Sequence, residues 1–311
     1  MPPRFRDMAG MADPTFTTVD LSRLPAPDLI EALDYEPILA EAIARFKAEM
    51  LAAGITFVSR ESDPATKLLQ TFSYLAQLLR QRVNEAARAV MPAYALGADL
   101  DNIAALFGIV RKTITPADSA SGTAAVMESD TEFRRRMVLA PEGYSVAGPE
   151  GAYLFHALSA DAEVLDATAT SPSPGVVIVS LLSRLGNGTA SQQLVDTVET
   201  YVSADTRRPL TDFVMVQSAE IISYSVDYDL TAFSGPDGAL VLATSLASVR
   251  SYVDDSHKIG RDITLSALFR AAHVEGAQNV HFNSPTADIL ISRTQAPFCT
   301  GVVGRFAGTN E

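Results

Sequence analysis

The sequence predicts a mixed α+β protein, with a long-helix bundle at the N-terminus followed by two small strand-helix-strand units. Two changes of pattern predict this. From Pro25 to Gly108 apolar residues recur with the period of a helix. Beyond Gly175, short apolar runs and one strict two-residue alternation are interleaved with helical stretches. With 47% apolar and 20% charged residues, the chain has the composition of a globular protein.

Residues 1–24 are polar, hold no sustained period and are expected to form a flexible arm, in which Met11 offers an alternative start. In "EPILAEAIARFKAEMLAAG", Pro37 stands at a suitable first helical position and Leu39, Ile43, Phe46 and Met50 follow at helical spacing. Gly54 is a natural stop. Asp63 then caps a second helix, Pro64 opens it, and nothing breaks it before Pro92. Leu68, Phe72, Leu75, Leu79, Val83, Ala86 and Val90 follow at spacings of 4, 3, 4, 4, 3 and 4, one continuous stripe. Leu69, Ala76 and Leu78 widen it. A helix of this length, about 40 Å at about 1.5 Å per residue, needs a long partner. The 37–53 helix is expected to cover only part of the stripe. Two readings stay open: an ordinary intrachain bundle, or packing of part of the stripe against other chains in coiled-coil fashion. A third helix, "GADLDNIAALFG", has Asp99 as its cap and Gly108 near its end.

Residues 113–130 read as a small-residue linker, and Ser129 with Glu132 fits a capping box ahead of "FRRRMVLA". The run Arg134–Arg136 is too short to mark a nucleic-acid site and reads as a solvated or salt-bridged helix face. "GVVIVSLLS" has the length and apolarity of a buried strand, and "GNG" at 186–188 is a turn. "TASQQLVDTVETYVS" is a helix with Thr189 and Gln192 in capping spacing, and "DFVMVQSA" is a strand. In "IISYSVDYDLT", Ile222, Tyr224, Val226, Tyr228 and Leu230 alternate with polar residues, which marks a strand with one wet face. Two helices follow, "GPDGALVLATSLASVRSYVDD" and "TLSALFRAAHVEG", and "NVHFNS" and "ADILISR" close the chain as strands. The resulting division is an arm at 1–24, a helical domain at 25–112, a central α/β domain at 113–218 and a C-terminal α+β domain at 219–311.

Charge excludes one class of function. The net charge is −13, and nearly all of it lies beyond residue 115. Such a surface repels nucleic-acid phosphates. No run of apolar residues is long enough to span a membrane, and the N-terminus has no apolar core of signal-peptide length. The single cysteine, Cys299, forms no internal disulfide, which suits a reducing compartment, and reads as a small buried apolar residue.

The stretch most suggestive of chemistry is "LAPEGYSVAGPEGAYLFHALSAD", residues 139–161. A nucleophile elbow, G-x-S-x-G, fails because one residue too many separates Ser145 from Gly148. A phosphate loop fails because Pro149 and Glu150 stand where Lys and Ser or Thr are needed. The four histidines are scattered, and His156, among apolar neighbours, reads as a hydrogen-bonded, half-buried side chain. Asp227 and Asp229 share the wet face of one strand and read as solvated carboxylates. No catalytic, cofactor or metal site is expected. What remains is helix-end chemistry. Gly143 can take positive φ and end one helix. Gly148 caps the next, with Pro149 at its first position and Glu150 complementing the dipole. Together with Gly151 these residues form a structural joint.

Five segments resemble the baseplate J-like family of contractile-tailed phages: "LPAPDLIEALDYEPILAE", the run from Asp63 to Gly108, the run from Ser129 to Asp161, "LDATATSPSPGVVIVSLLSRLGNGT" and "TADILISRTQAPFC". The core "APEGYSVAGPEGAY" is long and specific. The resemblance implies a non-enzymatic baseplate wedge subunit, in which two copies join one smaller I-like partner in a heterotrimer. It implies that N-terminal helices of the three chains bundle together, placing the Leu68–Val90 stripe at an interface. It also implies a ring of wedges around the tail hub that widens on sheath contraction. The C-terminal domain would dimerise or meet ring neighbours, and a W-like baseplate protein of lysozyme-like fold would be a further partner. The expected location is the virion tail baseplate, assembled in the host cytoplasm, with neither nucleic acid nor membrane as partner. The joint would set orientation between the helical and α/β parts. The competing assignments are a tail-associated cell-wall hydrolase and the same subunit in a DNA-free contractile bacteriocin.

Overall fold

The computed structural model describes residues 21, 24, 32–146, 148–235 and 237–311. The arm, with Met11, lies outside the described residues apart from Leu21 and Leu24. The chain divides into two compact units. A helical unit lies within residues 18–111 and 129–134, and an α/β unit lies within 112–128 and 135–311.

The helical unit is built on α1 (Tyr35–Ala52), α2 (Pro64–Ala89) and α3 (Gly97–Ala105). Helix α1 starts two residues earlier than its proline signals, because Pro37, within the first turn, sacrifices no helical hydrogen bond. Gly54 follows it at a φ of 78°. Asp63 caps α2 as expected, its carboxylate accepting from the Ala65 N–H at 2.9 Å, with Pro64 at the first position. Asp99 does not cap α3; the helix begins at Gly97, whose N–H donates to the Asp130 carboxylate at 3.1 Å. Arg111 joins the same corner, bonded to Asp101 and Asp130 at 2.7 Å each and lying over the Phe133 ring.

The α/β unit opens with β1 (Thr113–Thr115) and β2 (Val126–Met127), an antiparallel pair where the sequence suggests only a linker. Helix α4 (Asp130–Leu139) begins at the capping box, with the Glu132 N–H donating to Ser129 Oγ at 3.3 Å; its last five residues belong to this unit. A 3₁₀ turn (Ala140–Tyr144) and α5 (Glu150–Ala160) follow. The first sheet has the order β3-β4-β5, from Val164–Ser173, Val176–Ser183 and Phe213–Ser218. β3 is antiparallel to β4, and β4 is parallel to β5. Helix α6 (Gln192–Val202) connects the parallel pair and is capped by Ser191, not Thr189. One core, around Tyr153, Leu181, Leu194 and Val198, lies between this sheet and α5 with α6.

The second sheet has the order β7-β6-β8, from Ala277–Ser284, Glu220–Phe233 and Gln295–Asn310. β6 buries Tyr224, Val226, Tyr228 and Leu230, four of the five residues its alternation predicts, while Ile222 is only partly buried. Helices α7 (Gly238–Asp255) and α8 (Leu265–Ala272) complete the second core. "ADILISR" is not a strand. Only Ile289 bridges, to Ile263, because Asp262 and Asp288 side chains take the N–H groups of Ile291 and Leu265 at 2.7 Å. The expected architecture, N-terminal helices ahead of two small α/β layers, is the one observed.

Candidate functional site

Helix α2 packs the wrong way round for an isolated protein. Its buried residues are Thr66, Ser73 and Asn84, all polar. Around them Thr66 Oγ1 meets Ser59 Oγ at 3.3 Å, and Gln77 Nε2 donates to the Leu33 carbonyl at 2.7 Å. Ser73 satisfies itself on the Leu69 carbonyl at 2.8 Å. The seven stripe residues Leu68, Phe72, Leu75, Leu79, Val83, Ala86 and Val90 lie on the opposite side, and all are exposed. Leu79 is 68% exposed, Phe72 62% and Val90 73%. Helix α1 therefore leaves the stripe exposed; it packs against α2, with Ile38 buried and Leu39, Ile43, Phe46 and Met50 partly buried. A single surface leucine is ordinary, whereas these residues form a continuous exposed apolar stripe.

The joint is made by close approach more than by backbone freedom. Gly143 does not take positive φ; it lies inside the 3₁₀ turn, where a Cβ would collide with the Phe155 ring of α5. Gly151, in the first turn of α5, faces back, and its Cβ would lie 2.8 Å from Glu142 Cγ. The two glycines let the turn and the helix touch backbone to side chain. Gly148 does take positive φ, 74°, and a Cβ there would lie 2.7 Å from Pro209 and 3.0 Å from Asp212. Pro149, and not Gly148, is the N-cap of α5, so the helix begins one residue later than expected. Glu150 pairs with Arg293. Tyr153 donates to Asp212 at 2.7 Å, which ties α5 to the loop under Gly148 and raises the phenol's pKa, chiefly through burial. Sequence reasoning missed these partners, because no local pattern points from residue 148 to residues 209 and 212.

Two ionic features lie near the joint. Glu128 and Arg136 form a buried bidentate pair at 2.6 and 3.0 Å. This makes Arg136 a salt-bridged residue rather than a solvated one, while its neighbour Arg135 bonds Asp166 at 2.7 Å. Lys112 lies partly buried beside them. Its backbone N–H donates to Glu128 at 3.1 Å, its ammonium donates to the Leu158 and Asp161 carbonyls, and burial lowers its pKa to about 8.

The remaining sequence candidates are a buried histidine, two strand aspartates and a half-buried cysteine. His156 is buried, and neither ring nitrogen has a hydrogen-bond partner among the described residues, against the expectation of a bonded histidine. Burial, with Arg207 nearby, lowers its pKa to about 4. Asp227 is held by Arg305 at 2.5 and 3.0 Å, and Asp229 accepts from Asn283 at 2.9 Å, so the aspartates form a paired strand-face network. Cys299 is half-buried against the second core, and burial raises its pKa. Among the described residues no three His, Cys, Asp or Glu side chains gather as metal ligands, and no helix is long and apolar enough to cross a membrane.

Comparison with known proteins bears on both surfaces. Residues 61–118, which contain α2 and its stripe, match the Baseplate J-like N-terminal domain. Residues 145–218, which begin inside the joint, match the Baseplate J-like central domain. The chain is 46% identical over 288 residues to Baseplate protein J of Escherichia phage P2, covering 91% of this chain and 95% of that one. A chain in the cryo-EM structure of the anti-feeding prophage baseplate aligns at 12% identity with a TM-score of 0.35, over 55% of this chain and 42% of that one.

Proposed function

The chain belongs to the baseplate J-like family, and from that membership we propose that it is a structural wedge subunit of a phage contractile-tail baseplate. The observation that carries the reading is the orientation of α2. A helix that buries Thr66, Ser73 and Asn84 and exposes Leu68, Phe72, Leu75, Leu79 and Val83 is completed by another chain. Burying that stripe releases on the order of 10 kcal/mol of gross hydrophobic free energy, before the cost of association.

In this reading two copies of the chain and one I-like partner bundle their helices through Leu68, Phe72, Leu75, Leu79, Val83, Ala86 and Val90. Six such wedges ring the tail hub, beside a W-like protein, and rearrange on sheath contraction. Gly143, Gly148, Pro149 and Gly151 hold α5 rigidly against the preceding turn, so the central domain transmits load as one body. The C-terminal domain, residues 219–311, supplies contacts to neighbouring copies. The subunit assembles in the host cytoplasm and resides in the virion tail. Its work is mechanical rather than enzymatic.

Electron microscopy of the intact baseplate tests this directly. Two copies of this chain are expected beside each I-like subunit, with the α2 stripes at the shared bundle axis. Density showing the stripe facing solvent in the assembled particle would overturn the reading. The hydrolase alternative predicts that the purified protein clears cell walls, which the wedge reading forbids.

A further inference from the structure

The α/β unit holds two separate cores. The first belongs to a central layer, the sheet β3-β4-β5 with α5 and α6. The second belongs to residues 220–311, the sheet β7-β6-β8 with α7 and α8. A small apolar seam lies between them. Its buried members are Leu182, Ala219, Ile259 and Ala296, flanked by partly buried Leu165 and Ile221, and two of the four are alanines. So little apolar area docks two preformed layers weakly, and the polar contacts across the seam decide how firmly they hold.

Only Ala219 separates β5 from β6. Its N–H donates to the Leu181 carbonyl of the central sheet at 2.7 Å. The next N–H, that of Glu220, donates to the Thr294 carbonyl of the second layer at 3.0 Å. Successive amides thus belong to different layers, and a rotation between them disturbs neither sheet.

The polar contacts lie elsewhere. Asp166 of β3 is 3% exposed. One carboxylate oxygen accepts from the Ala167 N–H at 2.9 Å and from Arg135 of α4 at 2.7 Å. The other crosses the seam and accepts from the Ile259 N–H at 3.0 Å. Hydrogen bonds to a carboxylate are the stronger kind, and burial penalises the loss of any of them. Arg293 makes the second contact. Its carbonyl accepts from Thr168 Oγ1 at 2.6 Å, and its guanidinium donates to the Ala169 carbonyl at 3.4 Å and pairs with Glu150 of α5. Asp166, Thr168 and Ala169 all lie on β3, one edge of the first sheet, whereas Ala219 continues β5, the other edge. A latch on one edge faces a pivot on the other.

We propose that residues 220–311 form a hinged lobe, latched onto the central layer by Asp166 and Arg293 and free to swing about Ala219 when the latch opens. Such a lobe lets the subunit bend without unfolding either core, whatever its neighbours are.

The test uses the full-length chain with Cys299→Ser and spin labels on Thr197→Cys of α6 and Thr244→Cys of α7, both exposed positions. Double electron–electron resonance reads the distance between them. One narrow distribution is expected with the latch intact. Asp166→Asn, which sets an amide donor against Arg135 or the Ile259 N–H, combined with Arg293→Ala should at least double its width and add longer distances. In the same variant, hydrogen exchange of the peptide around Ile259 should quicken at least tenfold, while peptides of β4 and β6 stay unchanged. An unchanged distribution would overturn the latch. So would equal broadening by Asp227→Asn, whose pair with Arg305 lies away from the seam. Exchange quickened equally in β4 and β6 would show one cooperative core and would overturn it too. The wild type supplies a check that needs no folded variant. Its Ile259 amide should exchange at least tenfold faster than the amides of β4 and β6, and equal protection would overturn the hinge.

Discussion

Glu128 and Arg136 show how much one buried contact weighs. Both side chains are almost fully inaccessible, so the attraction between them offsets a large desolvation cost. Glu128→Ala strands a buried guanidinium and should cost about 3–5 kcal/mol in urea unfolding, whereas Glu128→Leu combined with Arg136→Met should cost far less. His156 gives the opposite case, a group that folding keeps neutral. Its imidazole takes a proton near pH 6.5 when unfolded and near pH 4 when folded. The unfolded chain therefore binds more protons in that window. Stability is fully present above about pH 6.5 and is lost as the pH falls towards 4. Between pH 8 and pH 5 the loss should be about 2 kcal/mol, and His156→Phe should flatten that part of the profile. An unchanged slope in the variant would remove His156 as its cause.

At the scale of elements, α2 and the joint carry the account. Gly148 combines a φ of 74° with Pro209 and Asp212 at contact distance, so a β-branched side chain is strained on both counts. Gly148→Val should lower the stability of the α/β unit by at least about 2 kcal/mol, leave helix content nearly unchanged by circular dichroism, and block wedge assembly. Normal assembly of a folded variant would count against the joint. The sequence made α2 legible because 26 residues of uninterrupted helical period leave no competing pattern. It did not show which face turns inward, since amphipathicity alone predicts the apolar one. Strands β3 and β8 were illegible for another reason. "VLDATATSPS" is built of small and polar residues, and β8 lies on a sheet edge with Gly301, Gly304, Arg305 and Gly308 diluting its alternation. The glycines of the joint were legible as a constellation, but their contacts, Phe155, Glu142 and Pro209, are properties of the fold.

For the whole molecule, the central claim is that this chain is finished by other chains. The α/β unit buries ordinary cores around Leu181 and around Tyr228, so it does not need the stripe for its own stability. Substitution within the stripe should therefore leave the free chain folded, with changes near ±0.5 kcal/mol, as for other exposed sites. The most direct measurement is native mass spectrometry of this chain co-expressed with the proposed I-like partner, as wild type and as the Leu75→Asp, Leu79→Asp double variant. The account predicts a complex of two copies with one partner for the wild type, and a folded but unassembled chain for the variant. A variant that forms the same two-to-one complex would contradict it.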